Sequence, residues 1–119
     1  MSEQPLISII TVTYNAGKFI GKTLQSLAAQ TFNDYEYVVV DGCSKDNTLE
    51  FVRSFNHNNK TIVTEPDNGL YDAMNKGLRL AKGEYVLFLN AGDSFHQTTT
   101  LGKYAEAAKK KCRYNLWRH

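Results

Sequence analysis

Acidic and amide side chains in this sequence stand at the ends of apolar runs, where a ligand could reach them. The stretch Glu84-Tyr-Val-Leu-Phe-Leu-Asn-Ala-Gly-Asp-Ser-Phe95 reads as a buried strand that breaks into a short polar loop carrying Asp93. Ligands of open α/β sheets collect outside the carboxyl ends of the strands, where loops leave the core and helix amino-termini point at the ligand. A carboxylate in that place either caps the following helix or binds a divalent cation that bridges a diphosphate. Other apolar runs also end in polar groups: one at Thr13 and Tyr14, one at Asp41, and one just before Asp67 and Asn68. Together these residues can stack on a flat base, accept hydrogen bonds from a base and ribose, and coordinate a metal. Singly, each has a structural use: Tyr14 covers a sheet rim, and Asp41 and Asp67 organise turns. Convergence of the set on one rim is what favours binding.

The elements that must position these groups follow from periodicity. Leu6–Tyr14 is mostly β-branched and apolar, the pattern of a central strand covered on both faces of a parallel sheet. After the break at Asn15-Ala-Gly17, the spacing of Ile20, Leu24, Leu27 and Ala28 predicts a helix over about 18–29. Tyr35–Asp41 is a second strand, Gly42–Asn47 supplies turn and capping residues, and a helix runs near Thr48–Phe55. Thr61–Thr64 is a short third strand ended by Glu65-Pro-Asp-Asn-Gly69. Leu70, Ala73, Met74, Gly77, Leu78 and Ala81 form a helical stripe; Gly77 allows close approach to the sheet, and Gly83 is placed to end the helix. A strand over 84–89 and a helix over about 98–111 complete four strand–helix units. Short connections of this kind give a Rossmann-like, mostly parallel sheet flanked by helices, with all strand ends along one edge.

Bulk properties narrow the function. The chain has 119 residues, 42% hydrophobic and 22% charged, which suits one small globular domain. A net charge of +2 gives no footprint for nucleic acid. No apolar run approaches the roughly 18 residues that span a bilayer, and the first residues lack a signal-peptide pattern, so a cytoplasmic location is expected. Cys43 and Cys112 show neither metal-ligand spacing nor a disulfide framework and read as free thiols. His57, His96 and His119 lack paired spacing, though His96 lies close enough in sequence to Asp93 to approach a diphosphate. Walker and Gly-x-Gly-x-x-Gly phosphate motifs are both lacking, which weakens ATPase and dinucleotide readings.

Four blocks, Ser8-Ile-Ile-Thr-Val-Thr-Tyr-Asn15, Val38-Val-Val-Asp-Gly-Cys-Ser-Lys-Asp-Asn-Thr48, Asp67-Asn-Gly-Leu-Tyr-Asp-Ala-Met-Asn-Lys-Gly77 and Gly83–Asp93, stand in the order and spacing of a known family. Over about residues 7–95 the sequence resembles the inverting glycosyltransferases of family 2. The resemblance implies the nucleotide-binding half of the A-type glycosyltransferase fold, a nucleoside diphosphate sugar as donor, a UDP-sugar foremost, and Mn²⁺ or Mg²⁺ at the diphosphate. It places Thr13, Tyr14 and Asn15 against the nucleotide, Asp41 on the polar edge of the base, Asp67 and Asn68 near base and ribose, and Asp93 on the metal. The loop Asn90-Ala-Gly-Asp93 departs from members that carry further aspartates and resembles a subset that builds bacterial surface polysaccharides on saccharide or lipid-linked acceptors.

On this resemblance, residues 1–119 are a single nucleotide-sugar-binding domain in which 96–119 form a helix and a basic tail. The acceptor half is expected to be absent, and with it the carboxylate that acts as base, so no catalytic residue is named. The alternative is a truncated, non-catalytic domain that binds nucleotide or oligomerises, since an unpaired sheet edge and uncovered apolar surface favour a homodimer. The tail Lys109–His119 mixes basic and aromatic residues, which allows contact with an anionic membrane surface or, more simply, a solvated helix end. A receiver-like phosphoacceptor domain shares the parallel strands but fits the four blocks poorly.

Overall fold

The structure, a computed structural model, describes residues 4–110. Residues 1–3 and the tail from 111 onward, with Cys112 and His119, lie outside the described residues. The chain runs β1 (Ile7–Thr13), α1 (Ile20–Ala28), β2 (Tyr35–Asp41), α2 (Thr48–Ser54), β3 (Lys60–Thr64), α3 (Leu70–Leu80), β4 (Tyr85–Phe88) and α4 (Thr100–Lys110). All pairings are parallel, in the order β3-β2-β1-β4. The β-branched run in β1 is therefore central, with Ile7, Ile9 and Ile10 fully buried; each such side chain contributes about 1.5–3 kcal/mol.

Strand alternation divides the core. Ile7, Ile9, Tyr37 and Val39 pack under α1, α2 and α4 through Ile20, Leu24, Val52, Leu101 and Ala105. Ile10, Val38 and Val40 pack on the other face with Ala73 of α3 and Ala81 just after it. Gly77 lets α3 sit close: a Cβ there would lie 2.6 Å from Cγ2 of Ile10. Lys60 closes the carboxyl end of α2, donating from Nζ to the carbonyls of Val52, Arg53 and Phe55 at 2.7–3.2 Å, a charge the helix dipole favours. Among the described residues no helix is long and apolar enough to cross a membrane.

Several local expectations are corrected. Gly83 does not end α3; the helix stops at Leu80, and the capping residue Ala81 is extended rather than left-handed. Gly83 is required two residues later, where a Cβ would come 2.6 Å from the backbone nitrogen of Ser8. Its N–H donates to Ser8 Oγ at 2.7 Å and to the buried Glu36 carboxylate at 3.2 Å. That carboxylate also receives Ser8 Oγ and the Lys82 N–H, tying β1, β2 and the entry to β4. Leu70, expected in the buried stripe of α3, is 55% exposed. The stretch Gly42–Asn47 does supply the capping group expected of it, through Asp46, which accepts from the Thr48 N–H at 3.0 Å and hydroxyl at 2.5 Å, while Asn47 makes no side-chain cap. Asp93 is no helix cap, because α4 begins only at Thr100.

Gly83→Ala should lower stability by about 1–3 kcal/mol, because the new methyl meets backbone that cannot swing aside. Urea denaturation measures this; an unchanged midpoint would contradict the packing described.

Candidate functional site

After β1 the chain proceeds outward through β2 and β3, then returns to place β4 on the other side of β1. The carboxyl ends of β1 and β4 therefore flank a topological switch point, the place where open α/β sheets bind ligands.

At this rim Thr13, Asp41 and Thr64 stand in register across three strands. Asp41 is fully buried, and both carboxylate oxygens are occupied. Oδ1 accepts from Thr13 Oγ1 at 2.8 Å and Ser44 Oγ at 2.5 Å; Oδ2 accepts from Ser44 N at 2.8 Å and Thr64 Oγ1 at 2.9 Å. Burial pushes its carboxyl up, but the hydrogen bonds from Ser44, Thr13 and Thr64 outweigh that and hold it below its ordinary value. Asn15, at φ 50°, links the first loop to the second: its N–H donates to Ser44 Oγ and its side-chain oxygen accepts from Lys45 N, both at 2.8 Å.

Beside this row lies an open cleft of about 350 Å³ lined by Val12, Thr13, Tyr14, Asp67, Gly69 and Leu70. Tyr14 and Leu70 are 61% and 55% exposed. The loop that brings Asp67 here is latched to α3. Lys76 Nζ donates to the Pro66 carbonyl at 2.8 Å and pairs with Glu65 at 3.0 Å, while Asn68 N donates to Asp72 at 2.9 Å. The Glu65 hydrogen bond holds the Lys76 ammonium above its usual value. Gly69, at φ 111°, makes the turn into α3.

The loop after β4 is anchored independently. Thr11 Oγ1 donates to the Leu89 carbonyl at 2.5 Å, and α1 receives the loop through Gly92 N to Thr23 Oγ1 at 2.8 Å and Phe95 N to Ser26 Oγ at 3.1 Å. Asp93 is exposed on this loop. Among the described residues no group of three His, Cys, Asp or Glu is arranged to hold a metal. One exposed carboxylate suits an ion of the Mg²⁺ type held mainly by phosphate oxygens and water.

The structure thus joins Thr13, Tyr14 and Asp67 in one cleft. It seats Asp41 behind the cleft's wall, uses Asn15 in the loop scaffold, and leaves Asn68 and Asp93 exposed on the same rim outside the cleft lining. Leu70 also lines the cleft and Gly42 abuts Asp67, roles that periodicity does not show; the glycines at Gly42 and Gly69 are the sequence signal for them. A larger cleft of about 440 Å³ lies at the opposite rim, lined by residues such as Asn33, Asp34, Asn56 and His57. Helix carboxyl ends face that rim, which disfavours an anionic ligand.

Residues 8–116 match the family model described as Glycosyl transferase family 2. A PGL/p-HBAD biosynthesis glycosyltransferase of Mycobacterium tuberculosis (strain ATCC 25618 / H37Rv) is 42% identical over 104 residues, 85% of this chain and 41% of that protein. The chain thus spans well under half of that curated relative's length. S. aureus TarS 1-349, solved in complex with UDP-GlcNAc, superimposes with a TM-score of 0.81 at 35% identity, covering 88% of this chain and 31% of TarS 1-349. The mannosyltransferase PcManGT from Pyrobaculum calidifontis, solved with GDP-Man and Mn²⁺, gives 0.76 at 30% identity, covering 91% and 32%.

Because its folded-state carboxyl is held low, Asp41 contributes stability that is present above the unfolded value near pH 3.9 and lost as pH falls through the lower folded value. Asp41→Asn should destabilise by about 1–3 kcal/mol at neutral pH and flatten this acid limb. Urea midpoints between pH 7 and pH 2 measure both effects; equal slopes in the two proteins would contradict the network.

Proposed function

The chain belongs to glycosyl transferase family 2, and from that premise we propose that it binds a nucleoside diphosphate sugar for inverting transfer. The carrying observation is the cleft between Tyr14 and Leu70, placed at the switch point of a parallel sheet with the Asp93 loop on the same rim. In this reading the base stacks on the exposed Tyr14 ring, and Thr13 and Asp67 border its polar atoms. The ribose and diphosphate extend past Asn68 toward Asn90–Asp93. The amino end of α3, which contributes Gly69 and Leu70 to the cleft wall, adds a favourable field for the phosphates.

Asp93 would hold Mn²⁺ or Mg²⁺ as the ion's single protein carboxylate. Such an ion, when bound, neutralises charge that develops on the departing diphosphate. The chain's own contribution is positioning: Thr11, Thr23 and Ser26 fix the loop, and the Lys76 latch fixes Asp67. Direct displacement at the sugar inverts its configuration and needs an acceptor hydroxyl aligned opposite the diphosphate, with a base within hydrogen-bond reach. We assign that base to none of the described residues. We further propose that the acceptor is a saccharide or lipid-linked saccharide of a bacterial surface polymer, on the strength of the Asn90-Ala-Gly-Asp93 loop. The four blocks and the two ligand-bound neighbours support the donor half of this reading.

Calorimetric titration with UDP and Mn²⁺ should show binding that weakens at least about tenfold with chelator or in Asp93→Ala, the scale of a lost charge-assisted contact. A folded chain that gives neither heat nor thermal protection with UDP, GDP or dTDP would contradict the proposal.

A further inference from the structure

The larger cleft, about 440 Å³ at the amino rim of the sheet, is lined by none of the residues placed at the nucleotide. We propose that it is a second, separate site that binds a neutral saccharide without the nucleotide and without turnover.

The lining has one kind of chemistry. Carboxamides of Gln4, Asn33, Asn56, Asn58 and Asn59 surround the cleft with a single carboxylate, Asp34. None of those amide side chains is hydrogen-bonded to another described residue. An amide presents donor and acceptor in one plane, the pairing that neighbouring hydroxyls of a sugar ring require. Other ligands fit less well. No lysine or arginine lines the cleft, and Lys60, next in the chain, is engaged with the carbonyls that close α2, so an anion finds no counter-charge. One carboxylate is too little for a metal ion, and an apolar ligand would strip water from the amides without replacing it.

Tyr35 adds a second observation. It is 4% exposed and lines the cleft, yet its hydroxyl has no hydrogen-bond partner among the described residues. Nearly all buried polar groups are paired, so an open hydroxyl in a polar cleft points to a partner from outside the chain. Burial pushes this hydroxyl up to about 12, which keeps its proton available to donate at neutral pH.

The walls are also fixed in advance. The His57 ring lies flat on the Tyr35 ring, centroids 4.1 Å apart and 3° from parallel, and its Nε2 donates to the Tyr35 carbonyl at 2.8 Å. Because a carbonyl can only accept, Nε2 carries the proton and Nδ1 of the neutral ring is left as an acceptor. Tyr35 N donates to the Asn33 carbonyl at 2.9 Å and Tyr37 N to the Asn59 carbonyl at 2.8 Å, tying both loops to the sheet. Little ordering therefore remains for binding. Strands of seven residues put the two rims about 20 Å apart. A saccharide held here is out of reach of the Asp93 loop and binds without reacting.

The test is an amide NMR titration of the full chain with maltotriose, mannotriose and tri-N-acetylchitotriose, each alone and then with UDP and Mg²⁺ present. At least one probe should shift the side-chain amides of Asn33, Asn56 and Asn58 with a dissociation constant on the order of 1 mM, the scale of a few net hydrogen bonds, and UDP should not displace it. Joint replacement Asn56→Ala and Asn58→Ala, at exposed positions, should weaken the saccharide at least about fivefold, and Tyr35→Phe, which keeps the ring stack, at least about threefold. Both variants should titrate with UDP as the wild type does. No shift at the amino rim with any probe, saccharide affinity unchanged in both variants, displacement by UDP, or a stronger response of these amides to inorganic phosphate or Ca²⁺ would each overturn the assignment. Shifts of Tyr14 and Gly69 with UDP are read in the same spectra, so failure of the nucleotide reading shows separately.

Discussion

A buried carboxylate held by neutral donors rather than by a cation among the described residues organises the carboxyl rim of the sheet. Asp41 ends the second strand inside the protein, and burying an ionised group is unfavourable unless hydrogen bonds replace its water. Here the replacement comes from Thr13 on the central strand, Ser44 in the following loop and Thr64 on the edge strand. Those donors can meet one carboxylate only if the three parallel strands keep their register, with Thr13, Asp41 and Thr64 abreast. A slip of one residue would turn each side chain to the opposite face of the sheet. The interaction thus couples sheet register to the shape of the two loops that border the cleft.

The remaining geometry follows from close approaches that particular residues permit. Gly42 makes room for the Asp67 carboxylate, and Gly77 lets α3 lie against Ile10 of β1, the strand that leads into Tyr14. At the far end of the strands, the Glu36 carboxylate gathers the Ser8 hydroxyl and the backbone N–H groups of Lys82 and Gly83. The Tyr37 hydroxyl donates to Thr11 at 2.8 Å, and Thr11 in turn to the Leu89 carbonyl, linking β2 and β1 to the segment leaving β4. The acid loop is therefore anchored through the sheet as well as through α1. Helix polarity separates the two rims: amino ends favour an anionic ligand at the Tyr14 cleft, while α2 presents carbonyls capped by Lys60 at the other.

Much of this was legible in the residues. The apolar β-branched run over Ile7–Thr13 announces a central strand, and Tyr35–Asp41 gave its strand with both boundaries, because turn residues sit immediately outside. Gly77 within a helical stripe pointed to close packing on the sheet. The role of Leu70 was hidden because spacing identifies a stripe without showing where its covering layer ends. Gly83 looked like a helix stop because glycine after a helix commonly is one; its actual constraint, the backbone of Ser8, is 75 residues away in sequence. Likewise, an acid at a strand end looks free to bind a ligand. That Asp41 is already saturated depends on Thr13 and Thr64, which only the folded sheet brings beside it.

The central claim is that nucleotide chemistry belongs to the carboxyl rim of the sheet, around Tyr14, Gly42, Asp67 and the Asp93 loop. Its most direct test is an amide NMR titration of the folded chain with UDP, first alone and then with a small amount of paramagnetic Mn²⁺. The account predicts shift changes at Tyr14, Gly42, Asp67 and Gly69, with Mn²⁺ broadening the amides of Asn90–Asp93 most strongly. Shifts confined to the larger cleft around Asn33, Asp34 and His57, or broadening that spares the Asp93 loop, would contradict it.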